Sequence, residues 1–336
     1  MIHADSLTKD FVVNRGHTVH AVRSISLHIE PGELVAVLGP NGAGKTTTMR
    51  MLTTLIAPTS GTAIVAGHDV VTAPAQVRRR IGYVGQGNGA GHNQRVRDEL
   101  NTQGIIYGLD RRAARRRAGE LLEALDLAEL AGRKVSELSG GQRRRLDVAM
   151  GLVHAPPLLF LDEPSTGLDP QNRANLWDHI QRMRTAHGMT IVLTTHYMDE
   201  ADAMAARVII VDRGEVIADD TAEALKTKLA GDRIVVMADA SAGAGGATHL
   251  AELAARLPGG RDIVVDGARV EARVADGPGA IPELLRAAGD AGVRVATVQV
   301  HRPTLDDVFL TLTGRSLREA ENTTDPQDPH SGKDAA

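Results

Sequence analysis

The fold of this chain is decided by eight consecutive residues, Gly39-Pro40-Asn41-Gly42-Ala43-Gly44-Lys45-Thr46. They match the spacing G-x-x-x-x-G-K-[ST] of a phosphate-binding P-loop at every fixed position. The apolar run 34–38 before them predicts a buried parallel strand, and residues 45–56 after them predict a helix. Strand, glycine loop and helix together favour a phosphate site over an accidental glycine-rich turn, because the backbone N–H groups and the helix N-terminus would face one anion.

The last residues of this loop have the chemistry that a nucleoside triphosphate with Mg²⁺ requires. Lys45 would reach the terminal phosphates, and the Thr46 hydroxyl would ligate the metal ion. The predicted phosphate site therefore contains Gly39, Pro40, Asn41, Gly42, Ala43, Gly44, Lys45, Thr46 and Thr47.

Two carboxylates follow a second apolar run, where Leu158-Leu159-Phe160-Leu161 leads directly into Asp162-Glu163. Open α/β sheets bind ligands at the carboxyl ends of their strands, so this pair should lie near the phosphate site. Phosphoryl transfer needs one carboxylate for Mg²⁺ and one to polarise the attacking water, and we assign Asp162 and Glu163 to these tasks. A solvated acidic turn is the alternative interpretation.

His196 directly follows the strand predicted over residues 190–194, so it should reach the same sheet edge as Asp162. A neutral imidazole there could bond the γ-phosphate or the attacking water, although a lone histidine is usually structural. Leu138-Ser139-Gly140-Gly141-Gln142 has capping-box spacing at a predicted helix start, and its glycines expose backbone N–H groups to an anion. By itself this stretch could be no more than a capped helix.

Composition restricts the possible classes of protein. The 336 residues suggest two domains, and the net charge of −4 argues against a dedicated nucleic-acid binder. The chain has no cysteine, which excludes disulfides and thiolate chemistry. No apolar run approaches the roughly 18 residues of a membrane helix, so we expect a soluble chain that serves any membrane from its cytoplasmic side through partners.

Three arginine-rich stretches, 78–80, 111–117 and 143–145, raise the question of nucleic acid or an anionic surface. They lie beside helical or acidic neighbours and lack interleaved aromatic residues. We therefore interpret them as solvated helix faces and predict no nucleic-acid partner.

The pattern of elements predicts three segments. Residues 1–229 would form an α/β domain, with a helical subdomain at about 87–155. Residues 230–315 alternate short strands with two helical patterns and predict a small α+β domain. Residues 316–336 are polar without apolar periodicity and predict a disordered tail.

Taken together, these motifs and their order resemble the ATP-binding cassette (ABC) ATPases over roughly residues 5–225. Gly39 to Thr46 resembles the Walker A motif, Leu138 to Gln142 the signature motif, and Leu159 to Asp162 with Glu163 the Walker B motif and its catalytic glutamate. Gln86 stands at the position of the Q-loop glutamine, Ser165 to Asp169 resembles the D-loop, and His196 resembles the switch histidine.

This resemblance implies a P-loop NTPase fold, binding of ATP with Mg²⁺, and hydrolysis in a head-to-tail dimer, here a homodimer because the chain carries one set of motifs. Ser139, Gly140 and Gly141 of one protomer would touch the γ-phosphate held by Lys45 of the other. The resemblance implies a metal site of Thr46, Gln86 and Asp162, catalytic roles for Glu163, His196, Gln86 and Lys45, and further nucleotide contacts by Gln142 and Asp169. Phe11 stands near the position of an adenine-stacking ring, or else is a buried core residue.

The C-terminal stretch 302–314 contains a proline turn, a Thr304/Asp307 cap and a short apolar helix. It resembles the closing segment of daunorubicin-resistance exporter ATPases. That likeness implies a peripheral subunit on the cytoplasmic face of the membrane, which powers export of a drug or other hydrophobic molecule through a separate permease. A soluble non-transport ABC-type ATPase and a purely nucleotide-binding regulator are the alternatives, although the latter usually lacks a glutamate like Glu163.

Overall fold

The structure, a computed structural model, describes residues 1–14, 17–239 and 243–316. The described chain separates into two units, one from Met1 to Asp219 and one from Asp220 onward. The boundary proposed from the sequence was residue 229. Of the predicted disordered tail, residues 317–336 lie outside the described residues.

One ten-stranded sheet forms the first unit, in the order β5-β4-β1-β2-β10-β9-β3-β8-β7-β6. Its strands are β1 Ile2–Asn14, β2 His17–Ile29, β3 Leu34–Leu38, β4 Ser60–Val65, β5 His68–Asp69, β6 Ile81–Val84, β7 Leu158–Asp162, β8 Thr190–Thr195, β9 Arg207–Asp212 and β10 Glu215–Asp220. Its helices are α1 Lys45–Leu52, α2 Pro74–Arg80, α3 Val96–Ile106, α4 Arg111–Ala124, α5 Gly140–Leu152, α6 Pro170–His187 and α7 Met198–Met204.

Five neighbouring strands of this sheet, β9-β3-β8-β7-β6, run parallel to one another. Every residue of β3, β7 and β8 is buried, as their apolar sequences predict. Leu38 of β3 pairs with Thr195 of β8, and Asp162 of β7 pairs with Thr194. The chain therefore leaves these three strands at one edge of the sheet, and the predicted α/β fold is confirmed.

Two predicted elements differ from the observed ones. The first helix ends at Leu52 instead of residue 56, because the Thr53 hydroxyl bonds the Met49 carbonyl at 2.8 Å and Thr54 turns left-handed at φ 62°. The sequence before residue 30 predicts only short strand-like segments, among them 11–13 and 24–29. The structure instead has one long antiparallel hairpin, β1 with β2. Its register shifts interrupt the alternation from which a long strand is recognised.

The second unit begins with a short helix α8 Ala222–Leu225, which a π-helical turn Lys226–Ala230 continues. A four-stranded antiparallel sheet and the helices α9 to α11 follow. The later elements are β11 Asp232–Ala238, α9 Gly243–Arg256, β12 Arg261–Asp266, β13 Arg269–Val274, α10 Gly277–Asp290, β14 Val295–His301 and α11 Leu305–Thr313. The sheet order β12-β13-β11-β14 and the β-α-β-β-α-β sequence are those of a ferredoxin-like module. The predicted cap is confirmed, since Thr304 and Asp307 form a capping box on α11. Among the described residues, none of the helices is long and apolar enough to cross a bilayer.

Candidate functional site

Three predicted residues meet at the carboxyl edge of the parallel strands. Lys45 Nζ lies 3.7 Å from one carboxylate oxygen of Glu163, and His196 Nδ1 lies 3.3 Å from the other. Lys45 and Glu163 are shielded from solvent, with side chains only 4% and 10% exposed. The cluster thus places a cation, a carboxylate and an imidazole together in a sheltered position, where their interactions are stronger than in water.

The loop between β3 and α1 has the tight backbone that a phosphate cradle needs. Lys45 Nζ donates hydrogen bonds to the carbonyls of Gly39 at 2.7 Å and Pro40 at 3.0 Å. The lysine side chain therefore reaches back from the end of the loop to its first two residues. A Cβ on Gly39 would lie 2.1 Å from the carbonyl oxygen of Val211, and Gly44 has φ +101°. Glycine is therefore required at both positions by space or by backbone conformation.

The residues assigned to Mg²⁺ are joined by hydrogen bonds, and each carries a side-chain oxygen atom. The Thr46 hydroxyl donates to Asp162 Oδ1 at 3.0 Å, and the Gln86 amide donates to Thr46 Oγ1 at 3.2 Å. Hydroxyl, carboxylate and amide oxygens are the hard ligands that Mg²⁺ prefers, so the donor set fits this ion.

Thr194 belongs to the same network, although the sequence prediction does not include it. Its hydroxyl donates to Asp162 Oδ1 at 2.6 Å. The backbone N–H of Glu163 in turn donates to Thr194 Oγ1 at 3.0 Å. A hydroxyl residue at the end of the strand beside Asp162 was the available signal, because paired parallel strands bring their last residues together.

The ionisation of Glu163 follows from its neighbours. Burial raises the pKa of this carboxyl, but the hydrogen bond from His196 and the positive charge of Lys45 outweigh burial and hold the pKa below its ordinary value. The side chain is therefore a carboxylate at neutral pH. Its backbone is left-handed at φ +47°, a conformation that is rare outside glycine and is concentrated at functional sites.

The start of α5 has the predicted capping box. Ser139 accepts a bond from the Gln142 backbone, and the Gln142 side chain accepts one from the Ser139 backbone. The two glycines that follow have different surroundings. A Cβ on Gly141 would lie 2.5 Å from Asn172 Oδ1 on α6, whereas one on Gly140 would meet no atom within 4 Å.

The remaining predicted residues lie outside the lysine–carboxylate cluster. Asp169 caps α6 by accepting a bond from the Asn172 backbone at 2.9 Å. This bond lowers the pKa of the exposed Asp169 carboxyl. Phe11 is half-buried on β1, with the Lys9 ammonium 5.2 Å from its ring centre. Asn41 is exposed and Thr47 is half-buried.

One interpretation of the arginine-rich stretches is wrong. Arg144, in the stretch 143–145, is only 8% exposed and is not part of a solvated helix face. It donates three hydrogen bonds to backbone carbonyls near Glu163 and Gln86. The buried face of α5 is wide and includes Asp147 and Val148, three and four residues further on. That spacing could have identified Arg144 as inward-facing.

Family models match both units. Residues 22–166 match the family described as ABC transporter, and residues 221–313 match the C-terminal domain of DrrA1-3-like ATP-binding proteins. The daunorubicin resistance ATP-binding protein DrrA3 of Streptomyces coeruleorubidus is 42% identical over 316 residues, covering 94% of this chain and 98% of that protein. The linearmycin resistance ATP-binding protein LnrL of Bacillus subtilis is 34% identical over 89% of this chain and 95% of its own.

A solved structure supports the same assignment. A dimeric ATP-binding cassette in a post-hydrolysis state, bound to ADP and Pi, superposes with a TM-score of 0.61 at 26% identity, covering 66% of this chain and 98% of that one. With a P-loop, a Walker B carboxylate pair and a capped glycine helix start in one sheet architecture, this chain belongs to the ATPases of ABC transporters, in the group that carries a DrrA-like C-terminal domain.

Proposed function

We propose that this chain is the ATP-hydrolysing subunit of an exporter, and that it powers the passage of a drug or other hydrophobic small molecule through a separate permease. The observation that carries the proposal is the sheltered contact of Glu163 with both Lys45 and His196. A non-hydrolysing regulator has no need for a buried carboxylate kept ionised beside a phosphate loop. The relatives do not favour the alternative of a non-transport ATPase.

The residues of the cluster divide the chemistry of hydrolysis among them. Lys45 and the backbone N–H groups of the P-loop hold the terminal phosphates. Glu163, as a carboxylate, orients and deprotonates the attacking water, and His196 keeps Glu163 in place. Thr46, Gln86 and Asp162 would hold Mg²⁺, which supplies charge neutralisation at the phosphate oxygens when bound.

Two copies of the chain are needed for a complete site in this proposal. The solved cassette that matches this chain is dimeric, and this chain has one copy of each motif. A Cβ on Gly140 would meet no atom within 4 Å, so the start of α5 is accessible to the nucleotide held by a second copy. Two head-to-tail copies would then enclose two ATP molecules.

A membrane partner is supported by the relatives and by the surface of α3. The relatives are named for resistance to daunorubicin and linearmycin. In the first unit, Ile105 is 49% exposed and Ile106 is 71% exposed, together at the end of α3. Contiguous exposed apolar patches mark interaction surfaces, and we infer that this pair contributes to one. We place the chain as a peripheral subunit at the cytoplasmic face of the membrane, bound to a permease and not to nucleic acid.

Replacing the proposed base tests the hydrolytic function. Glu163→Gln should lower ATP turnover by about a thousandfold, since it removes the base, and should leave ATP binding intact because Lys45 and the loop are unchanged. In the presence of ATP, the variant should then accumulate as an undissociated dimer, which gel filtration measures. The exposed Glu123→Gln is a matched control and should behave as wild type. Normal turnover by Glu163→Gln would contradict the assignment.

Export is tested separately in cells. The chain should confer drug resistance only when it is co-expressed with its permease, and should co-purify with that permease from membranes. Resistance conferred by the chain alone, or equal recovery with and without the permease, would contradict the transport role.

A further inference from the structure

Arg144 is a buried arginine that the hydrolytic cluster described above does not include. It lies in the second turn of α5, and each of its three guanidinium nitrogens donates to a backbone carbonyl. Nε bonds Pro164 at 2.7 Å, Nη1 bonds Gly85 at 2.7 Å, and Nη2 bonds Asp162 at 3.2 Å. Bonds from a charged donor are stronger than those between neutral groups, so this arginine fixes the segments that it contacts.

Two of these carbonyls belong to the residues on either side of Glu163. Asp162 precedes it and Pro164 follows it, so a single planar guanidinium holds both ends of the left-handed turn at φ +47°. Such a conformation persists only where the surroundings fix it. The N–H of Glu163 itself donates to the Thr194 hydroxyl on β8. The backbone of the base is thus fixed by bonds from two elements, α5 and β8.

The third carbonyl and a neighbouring carboxylate fix the loop that contains Gln86. Arg144 bonds Gly85, directly before this glutamine. Asp147, one turn further on α5, lies 4.0 Å from Arg144 Nη1 and accepts the backbone N–H of Gly89 at 3.0 Å. Burial raises the pKa of Asp147 and lowers that of Arg144, and each partner's charge opposes the shift of the other. Residues of one helical turn thus hold the loop both before and after Gln86.

We propose that Arg144 is a positioning residue for ATP hydrolysis, which holds the catalytic carboxylate of Glu163 and the Q-loop in register from the glycine-initiated helix α5. None of its three hydrogen bonds involves the phosphate loop or Lys45, so it acts on the chemical step and leaves the affinity for the nucleotide itself unchanged. The inference rests on the proposed ATPase function, and it assigns a role to the signature helix inside its own protomer.

Substitution of Arg144 tests this role through separate measurements of turnover and binding. Arg144→Lys keeps the charge but cannot reach three carbonyls, and we expect kcat to fall by about 10- to 100-fold, as a misplaced catalytic group would cause. The dissociation constant for ATP is measured without Mg²⁺, because Arg144 also bonds the backbone at Asp162 and directly before Gln86. It should stay within about twofold of wild type, since Lys45 and the phosphate loop are untouched. Arg145→Met, the next residue on the same helix and half-buried, is the matched control and should change neither quantity.

A merely structural role would give a different result, in which affinity and thermal stability fall together with kcat. Arg144→Met leaves three carbonyls without a donor and risks misfolding, whereas Arg144→Lys retains a buried cation and keeps the test valid. Wild-type kcat in Arg144→Lys, or loss of ATP affinity in step with kcat, would overturn the proposal.

A double-mutant cycle decides whether the arginine acts through the base. If it does, Arg144→Lys should cause little further loss in single-turnover hydrolysis once Glu163 is replaced by Gln, since the positioned group is already gone. Losses that multiply would overturn the proposal. Failure of the ATPase proposal itself is distinguishable, because the wild-type chain would then show no hydrolysis at all.

Discussion

At the scale of the residue, three neighbouring influences set the pKa of the Glu163 carboxyl, and they oppose one another. Burial disfavours its charge, while His196 and Lys45 favour it. Its left-handed backbone costs about 1–3 kcal/mol, which the bonds around it must offset. The resulting carboxylate is ionised, oriented and shielded from solvent, as a base for hydrolysis requires.

The lowered pKa of Glu163 predicts a pH dependence of stability. Between the folded pKa and the unfolded value of 4.5, the unfolded chain binds more protons, so stability falls as the pH drops through this window and is complete above it. The stability of wild type relative to Glu163→Gln should therefore decrease as the pH falls below about 5. Urea unfolding monitored by circular dichroism measures this difference in unfolding free energy, and a difference that stays the same from about pH 5 to about pH 3 would contradict the assignment.

The positions of single residues were predictable where strand ends decide them. Asp162, Glu163 and His196 follow apolar runs, and parallel strands end at a common edge. Arg144 was misjudged because three consecutive arginines look alike in a sequence. The three- and four-residue spacing to Asp147 and Val148 on α5 is the signal that distinguishes the one facing inward. The distances that join Glu163 to Lys45 depend on loop conformation, which no periodicity encodes.

At the scale of the element, α5 packs closely against α6 because Gly141 has no side chain. Gly141 lies directly against Asn172, while Gly140 faces open space. Asn172 is in turn fixed by Asp169, whose carboxylate accepts both its backbone and its side-chain N–H groups. The two adjacent glycines, equivalent in the motif, therefore have different surroundings: Gly141 packs against α6, and Gly140 leaves the start of α5 uncovered.

This difference predicts opposite effects of the same substitution. Gly141→Ala should destabilise the isolated chain by about 1–3 kcal/mol, since its methyl group would overlap the Asn172 side chain. Gly140→Ala should leave the melting temperature of the isolated chain unchanged or slightly raised, because alanine is the better helix former. Its effect should appear in ATP-dependent dimerisation instead. Equal melting temperatures for the two variants would contradict this view of α5.

At the scale of the whole molecule, the chain provides one cassette and one ferredoxin-like unit. The alternation of strands and helices predicted an α/β domain and a small α+β domain, since long buried runs and regular spacing carry that information. It did not predict the ferredoxin-like strand order of the second unit. The long hairpin of β1 and β2 was not predicted, because polar side chains and register shifts conceal its pattern. The partner that completes each proposed site is a second copy, which a single sequence describes only through its motifs.

Sites shared between two copies predict complementation. Lys45→Ala and Ser139→Arg should each abolish turnover in homodimers, since one removes the phosphate ligand and the other blocks the helix start. An equal mixture should regain about a quarter of wild-type activity, because half of the dimers would have one intact site. Steady-state ATPase assays after co-refolding measure this, and each variant alone is the control. A mixture as inactive as its components would contradict sites built in trans.

The two isoleucines at the end of α3 have a practical consequence for handling the protein. Each leaves apolar area in water, at a cost of about 25 cal/mol per Å². The purified chain should therefore aggregate as it is concentrated, and mild detergent or a polar replacement of Ile106 should keep it dispersed. Affinities and turnover numbers are therefore best measured in dilute samples, where aggregates cannot be mistaken for nucleotide-dependent dimers.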